Sequence, residues 1–232
     1  MHPPETAGVQ PGHDVVVIGA SAGGVEALRE VARNLPEGLP AAVFVAVHLP
    51  PGSRSHLPEI LARSGPLPAE HPKDRDRVRP GRIYVAPPDH HMLLEDGTVR
   101  LARGPHHNHH RPAIDPLFES AAKAHDSRVV GVILSGTLDD GTAGLARIKA
   151  RGGVAIVQEP ATAAHSGMPE SALAHVDAEV VPLSKIGAAI AAAVTRPPTP
   201  ASSALDSEKH AAMLRHVLLS ESGPTATSRE VS

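Results

Sequence analysis

The chain has no cysteine and no tryptophan among its 232 residues. Without thiols it can form no disulfide, no thiolate metal centre and no cysteine nucleophile. Rings are scarce too: one Tyr and two Phe make aromatics 1% of the chain. Any core must therefore be aliphatic. The formal net charge is −3, so a nucleic-acid binder is not expected, since that class shows a basic face and stacking rings. No apolar run reaches the ~18 residues of a membrane span, and no direct membrane insertion is expected. The N-terminus MHPPETAGVQPGHD lacks a basic region and an apolar stretch. It does not read as a secretory signal, and the expected compartment is the cytoplasm.

What is present is a succession of short apolar runs separated by helical patterns. Asp14–Gly19, Ala41–Val47 and Arg128–Leu134 are rich in β-branched residues, as strands buried on both faces of a parallel sheet are. Arg82–Ala86 and Val154–Val157 read as further strands. Met92–Leu94 and Val99–Leu101 flank Asp96-Gly97 and predict a hairpin. Helices are predicted over 24–34, 57–64, 115–125, 142–150 and 183–194 from their apolar spacing. The expected fold is α/β: a layered, doubly wound, mainly parallel sheet with helices on both faces and a small antiparallel hairpin. Residues 1–12 are expected to be a disordered tail and 13–195 one catalytic domain. From Arg196 the composition turns to RPPTPASSA, a Pro-rich linker. Beyond it, Ser203-Ala204-Leu205-Asp206 has capping-box spacing, and a short amphipathic helix is expected over 205–220.

The turn after the first strand, Gly19-Ala20-Ser21-Ala22-Gly23, poses the functional question. A dinucleotide loop also joins a strand to a helix, but its second glycine lets the backbone approach a pyrophosphate. Here that place is Ser21, and the acidic ribose partner expected about 20 residues on is replaced by His48. No Gly-Lys-Ser/Thr follows either, so a P-loop fails. The same residues satisfy G-x-S-x-G, a sharp strand-to-helix turn that exposes a serine beside free helix N–H groups. Such donors suit an oxyanion.

A nucleophilic serine needs a base, and the base an orienting group. His48 ends the second strand, and Ser135-Gly136-Thr137-Leu138-Asp139-Asp140-Gly141 follows the third. In a parallel sheet these positions share the carboxyl edge with Ser21. Each residue alone has an ordinary reading: a solvent-facing turn serine, a histidine against a proline turn, a helix-capping aspartate. Their meeting at one edge favours a triad in the order Ser…His…Asp, unlike that of the α/β-hydrolases.

In these blocks the chain resembles the catalytic domain of the CheB chemotaxis methylesterases. The likeness runs through Ile18-Gly19-Ala20-Ser21-Ala22-Gly23-Gly24, Val47-His48-Leu49-Pro50 and Pro80–Pro88, then His90–Leu94 and Arg111–Phe118. It ends with Leu134–Gly141, Gln158–Ala163 and Gly167-Met168-Pro169, covering roughly residues 13 to 195. It implies hydrolysis of glutamate methyl esters on chemoreceptors, often with deamidation of receptor glutamines. By position it implies Ser21 as nucleophile, His48 as base and Asp140, not Asp139, as orienting carboxylate. Thr137 would give a backbone N–H to the oxyanion hole, and Ala22, Gly167 and Met168 would line the pocket. Two positions depart from the family pattern: Ala22 replaces a common Thr, and Thr137 a common Met. Only residues 1–12 precede the first strand, where the family commonly has a receiver domain. A stand-alone form without regulation by phosphorylation in cis is therefore expected.

No cofactor or metal is expected, because the neighbouring histidines of His106-His107-Asn108-His109-His110 lie in a Pro-flanked loop and point different ways. The resemblance sets this loop near the crevice, as pH-sensitive substrate contacts. The expected partner is a methylated chemoreceptor acting as substrate, and the expected oligomeric state is a monomer. A second function class stays open: a catalytically idle regulatory or docking module of a chemosensory pathway.

Overall fold

The aliphatic runs are strands, and nearly all their residues are buried. A computed structural model of the protein describes residues 13–48, 55–95 and 97–197. In chain order the elements are β1 (Val15–Ala20), α1 (Gly24–Arg33), β2 (Ala42–Val47), α2 (Leu57–Ser64), β3 (Ala69–Glu70), β4 (Ile83–Val85), β5 (His91–Glu95) and β6 (Thr98–Ala102). There follow α3 (Ile114–His125), β7 (Val129–Ile133), α4 (Thr142–Ala150), β8 (Val154–Gln158), α5 (Gly167–His175), β9 (Glu179–Val181) and α6 (Leu183–Thr195). Seven strands form one parallel sheet in the order β3-β4-β2-β1-β7-β8-β9, and β5 pairs antiparallel with β6. The expected layered α/β sheet and the hairpin are both present.

Alternation along the strands decides which helices cover which face. Val16, Ile18, Val43, Val45, Val130 and Val132 share a core with Leu28 and Val31 of α1, Leu61 of α2 and Ile186 and Ile190 of α6. On the other face lie α3, α4 and α5, which bury Leu117, Phe118, Leu145, Ile148 and Met168. Phe44 and Tyr84 stack there with ring centroids 5.2 Å apart. Two of the chain's three aromatic rings thus meet on neighbouring strands, and branched aliphatic side chains fill the rest.

Three elements were not predicted. β3 and β9 have two and three residues, too short for a period to show. α5 alternates small and apolar residues without a clear stripe, and its Gly167 and Pro169 read as a turn. The amphipathic helix expected over 205–220, the linker beyond Pro197 and the tail 1–12 lie outside the described residues. Among the described residues no helix is long and apolar enough to cross a membrane.

The chain starts at β1, moves one way to β2 and β4, then returns to the other side of β1 as β7, β8 and β9. The crossovers therefore diverge between β1 and β7. At such a switch point the loops beyond the strand ends part and leave a crevice.

Candidate active site

Ser21 follows β1 directly, in a turn that the backbone holds from two directions. Its N–H donates to the Ser135 carbonyl at 2.9 Å, and its own carbonyl accepts from Gly24 N–H at 2.9 Å. Gly23 has φ 73°, and a Cβ there would stand 2.7 Å from Ala164 Cβ and 2.9 Å from Ser135 Oγ. Both the left-handed backbone and the close approach demand glycine. Ser135 is the buried pin of this turn. Its Oγ donates to the Ala22 carbonyl at 2.8 Å and accepts from His165 N–H at 3.0 Å. Its own N–H donates to Oε1 of the fully buried Gln158 at 2.9 Å. Gln158 in turn donates to the Thr162 carbonyl. Neither Ser135 nor Gln158 was singled out in the sequence, although both lie in blocks that carry the resemblance.

The three expected catalytic side chains come together. His48 Nδ1 lies 3.1 Å from Ser21 Oγ, and His48 Nε2 lies 2.7 Å from Asp140 Oδ2. A carboxylate can only accept, so Nε2 carries the proton and Nδ1 is left to accept one from Ser21. Asp140 Oδ2 also accepts from Ile114 N–H at 2.8 Å, and its Oδ1 from Asp115 N–H at 3.1 Å and Asn108 Nδ2 at 3.0 Å. Two of these donors are the first N–H groups of α3, where the helix dipole favours negative charge. Burial pushes Asp140 up, but His48 and the backbone donors together outweigh it and hold the carboxyl below its ordinary value. It is a fixed anion behind His48.

Asp115 behaves in the opposite way. Its Oδ1 accepts from Gly144 N–H at 2.7 Å and its Oδ2 from Asn108 Nδ2 at 3.2 Å. Burial first, and then the neighbouring Asp140 charge, push it up to about 7. One ligand atom each from His107, Asp115 and Asp140 lies within 4.8 Å of the others. The Asn108 amide already donates to both carboxylates, so a cation would have to displace it.

The histidine-rich loop lies beside the crevice, as the resemblance implies, and it also supports the site from within. His107 and His110 exchange two backbone hydrogen bonds around Asn108 and His109. Asn108 reaches the two carboxylates, and the His110 ring stacks on His48, centroids 3.5 Å apart and planes 8° from parallel. Burial, then the neighbouring His48, lower the His110 pKa. His91 props the same loop, with Nε2 2.9 Å from the Pro105 carbonyl and Nδ1 accepting from Ala113 N–H at 3.3 Å. Asn at a positive-φ turn position was the available signal. Its target was not legible, because it is 32 residues away.

The pocket residues fall in two groups. Among the described residues, the backbone N–H groups of Ala22 and Thr137 have no hydrogen-bond partner. Met168 N–H is engaged with the Gly136 carbonyl at 2.9 Å, and its side chain is buried. Met168 therefore packs beneath the loop. Gly167 abuts the Thr137–Leu138 backbone. Gly136, not singled out beforehand, separates Met168 from Ser21: a Cβ on it would stand 2.0 Å from Met168 Sδ and 2.9 Å from Ser21 Cβ.

A serine, an imidazole and a buried carboxylate in line can deliver an activated oxygen to a carbonyl carbon. The comparisons agree with that chemistry. The family model described as CheB methylesterase matches residues 16–190. The chain belongs to the CheB methylesterase family. The crystal structure of the Thermotoga maritima CheB methylesterase catalytic domain superposes with a TM-score of 0.74 at 34% identity, covering 77% of this chain and 97% of that one. A Leptospira interrogans relative is 36% identical over 162 residues, 69% of this chain and 84% of its own length. A Pseudomonas aeruginosa relative, named protein-glutamate methylesterase/protein-glutamine glutaminase 2, is 39% identical over 194 residues. The match covers 81% of this chain but only 55% of that protein.

Proposed function

We propose that this member of the CheB methylesterase family hydrolyses glutamate methyl esters on a chemoreceptor, with Ser21 as nucleophile, His48 as general base and Asp140 as its orienting anion. The observation that carries the proposal is the unbroken line Ser21 Oγ, His48 Nδ1, His48 Nε2, Asp140 Oδ2, with contacts of 3.1 and 2.7 Å. Ser21 Oγ attacks the ester carbonyl carbon while its proton passes to His48 Nδ1. The oxyanion of the tetrahedral intermediate lies toward the backbone N–H groups of Ala22 and Thr137. His48 returns the proton to the methoxy oxygen, and methanol leaves an acyl-enzyme. Water, activated by His48, then attacks that acyl group, and glutamate and free Ser21 result. A receptor glutamine would follow the same path with ammonia as the leaving group.

Nothing in this path needs the side chain of residue 137, because the donor is backbone. The change from the family's common Met to Thr137 therefore alters the wall of the pocket and not its oxyanion chemistry.

The test is methanol release from receptor carrying labelled methyl esters, by the wild-type chain and by Ser21→Ala. Release by the wild type and none by the variant supports the proposal. Binding of the receptor without release by either would leave the docking module as the function.

A further inference from the structure

The turn His107–His110 is closed by two backbone hydrogen bonds, of 3.1 and 2.9 Å. Its central residues Asn108 and His109 have φ of 48° and 64°, the pair of left-handed residues that a two-residue hairpin turn demands. That strained backbone carries His110 onto the face of His48. His48 is thereby held at Nε2 by Asp140, at Nδ1 by Ser21 and over one face by a second imidazole.

We propose that His110 is a positioning residue whose neutral ring face steadies the positive charge that forms on His48 during the reaction. The inference rests on the esterase reading and adds a residue to it. Charge state decides what the stack is worth. Two neutral rings face to face oppose like quadrupoles, and such pairs prefer offset or edge-on geometry. Two imidazolium rings repel as like charges. One cation against one neutral ring attracts. The arrangement is therefore most favourable with a single positive charge, and proton transfer from Ser21 puts that charge on His48. His110 is faced by His48 and Asp140 from across the crevice and by His106 and His109 from its own loop. Its lowered affinity for a proton, caused first by burial and then by His48, keeps its ring neutral for this task.

The experiment compares His110→Ala, His110→Gln and His110→Phe, each checked for folding by thermal melting. Two rates are followed against pH: methanol release from methylated receptor, and labelling of Ser21 by a fluorophosphonate. His110→Ala and His110→Gln are expected to lose about tenfold in rate. The acid limb of kcat/KM should also move to lower pH, because the charged base is less stabilised. His110→Phe, which offers a ring face and no charge, should recover most of both. If Ala alone fails to fold, Gln and Phe make the same comparison, since both fill the space. An unmoved acid limb, or Phe no better than Gln, overturns the proposal. The fluorophosphonate reads the nucleophile without a receptor, so a ring-dependent labelling rate supports the proposal even if the natural ester is a different one. A wild-type Ser21 that never labels overturns both this proposal and the esterase reading.

Discussion

Ser21 and Ser135 are tied backbone to backbone, the amide of the first donating to the carbonyl of the second at 2.9 Å. Ser21 is thus fixed to the loop that carries Asp140 and not only to its own strand. The Ser135 hydroxyl closes the same junction through Ala22 and His165. Ser135→Ala removes two part-buried hydrogen bonds, to the Ala22 carbonyl and from the His165 amide, and is expected to cost about 1–3 kcal/mol in all. A fall in Tm together with slower labelling of Ser21 checks this. A variant with unchanged Tm and labelling would show the junction to be dispensable.

The proposal makes Ser21, His48 and Asp140 one unit, which sets how their losses combine. Ser21→Ala and His48→Ala should each lower kcat by about a million-fold, and the double variant by little more. Asp140→Asn should lose on the order of 10⁴, because an amide can donate to Nε2 and so favour the wrong tautomer. Methanol release measures all four. Losses that multiply in the double variant would mean that Ser21 and His48 do not work together.

Asp115 makes stability depend on pH in a stated direction. Its carboxyl sits at about 7 in the fold, above the ~3.9 of an unfolded chain. Between these values the folded state holds the extra proton, so stability falls as pH rises from about 4 to about 7 and is then level. Asp115→Asn keeps an acceptor for Gly144 but turns an N–H₂ toward Asn108 Nδ2, so it should flatten that decline whatever its absolute stability. Thermal melts across this range decide it. The same slope in the variant would refute the assignment.

Gly136 has room for no side chain. Its missing Cβ would stand 2.0 Å from Met168 Sδ and 2.9 Å from Ser21 Cβ. Met168 can turn aside, since a thioether chain is flexible, but Ser21 cannot without leaving its hydrogen-bonded turn. Gly136→Ala should therefore lower kcat by about a hundredfold through a displaced nucleophile. Adding Met168→Ala relieves the sulfur contact alone, and should recover some stability but not the rate. A double variant with restored kcat would place the strain on Met168 instead.

Leu138 is 71% exposed and holds φ 65° beside the crevice, a region that costs a non-glycine residue about 1–2 kcal/mol. Leu138→Gly should raise stability by about that amount. If the exposed side chain meets the receptor, the same variant raises KM and leaves kcat alone. A lower Tm in Leu138→Gly would contradict the strain.

Local patterns determined much of this protein. Three buried strands were legible because β-branched runs such as Val15-Val16-Val17-Ile18 have few other folds open to them. The turn serine was legible because Gly19 and Gly23 bracket it. A parallel sheet brings its strand ends to one edge, so Ser21, His48 and Asp140 could be gathered without coordinates. Tertiary structure alone decided the strand order about β1, which nitrogen of His48 faces Ser21, and that Asn108 and His110 reach the site at all. Those contacts span 32 residues from Asn108 to Asp140 and 62 from His48 to His110. No periodicity extends that far. A side chain's partner across such a distance depends on how α3, the hairpin and the sheet pack together, and packing is a property of the whole fold.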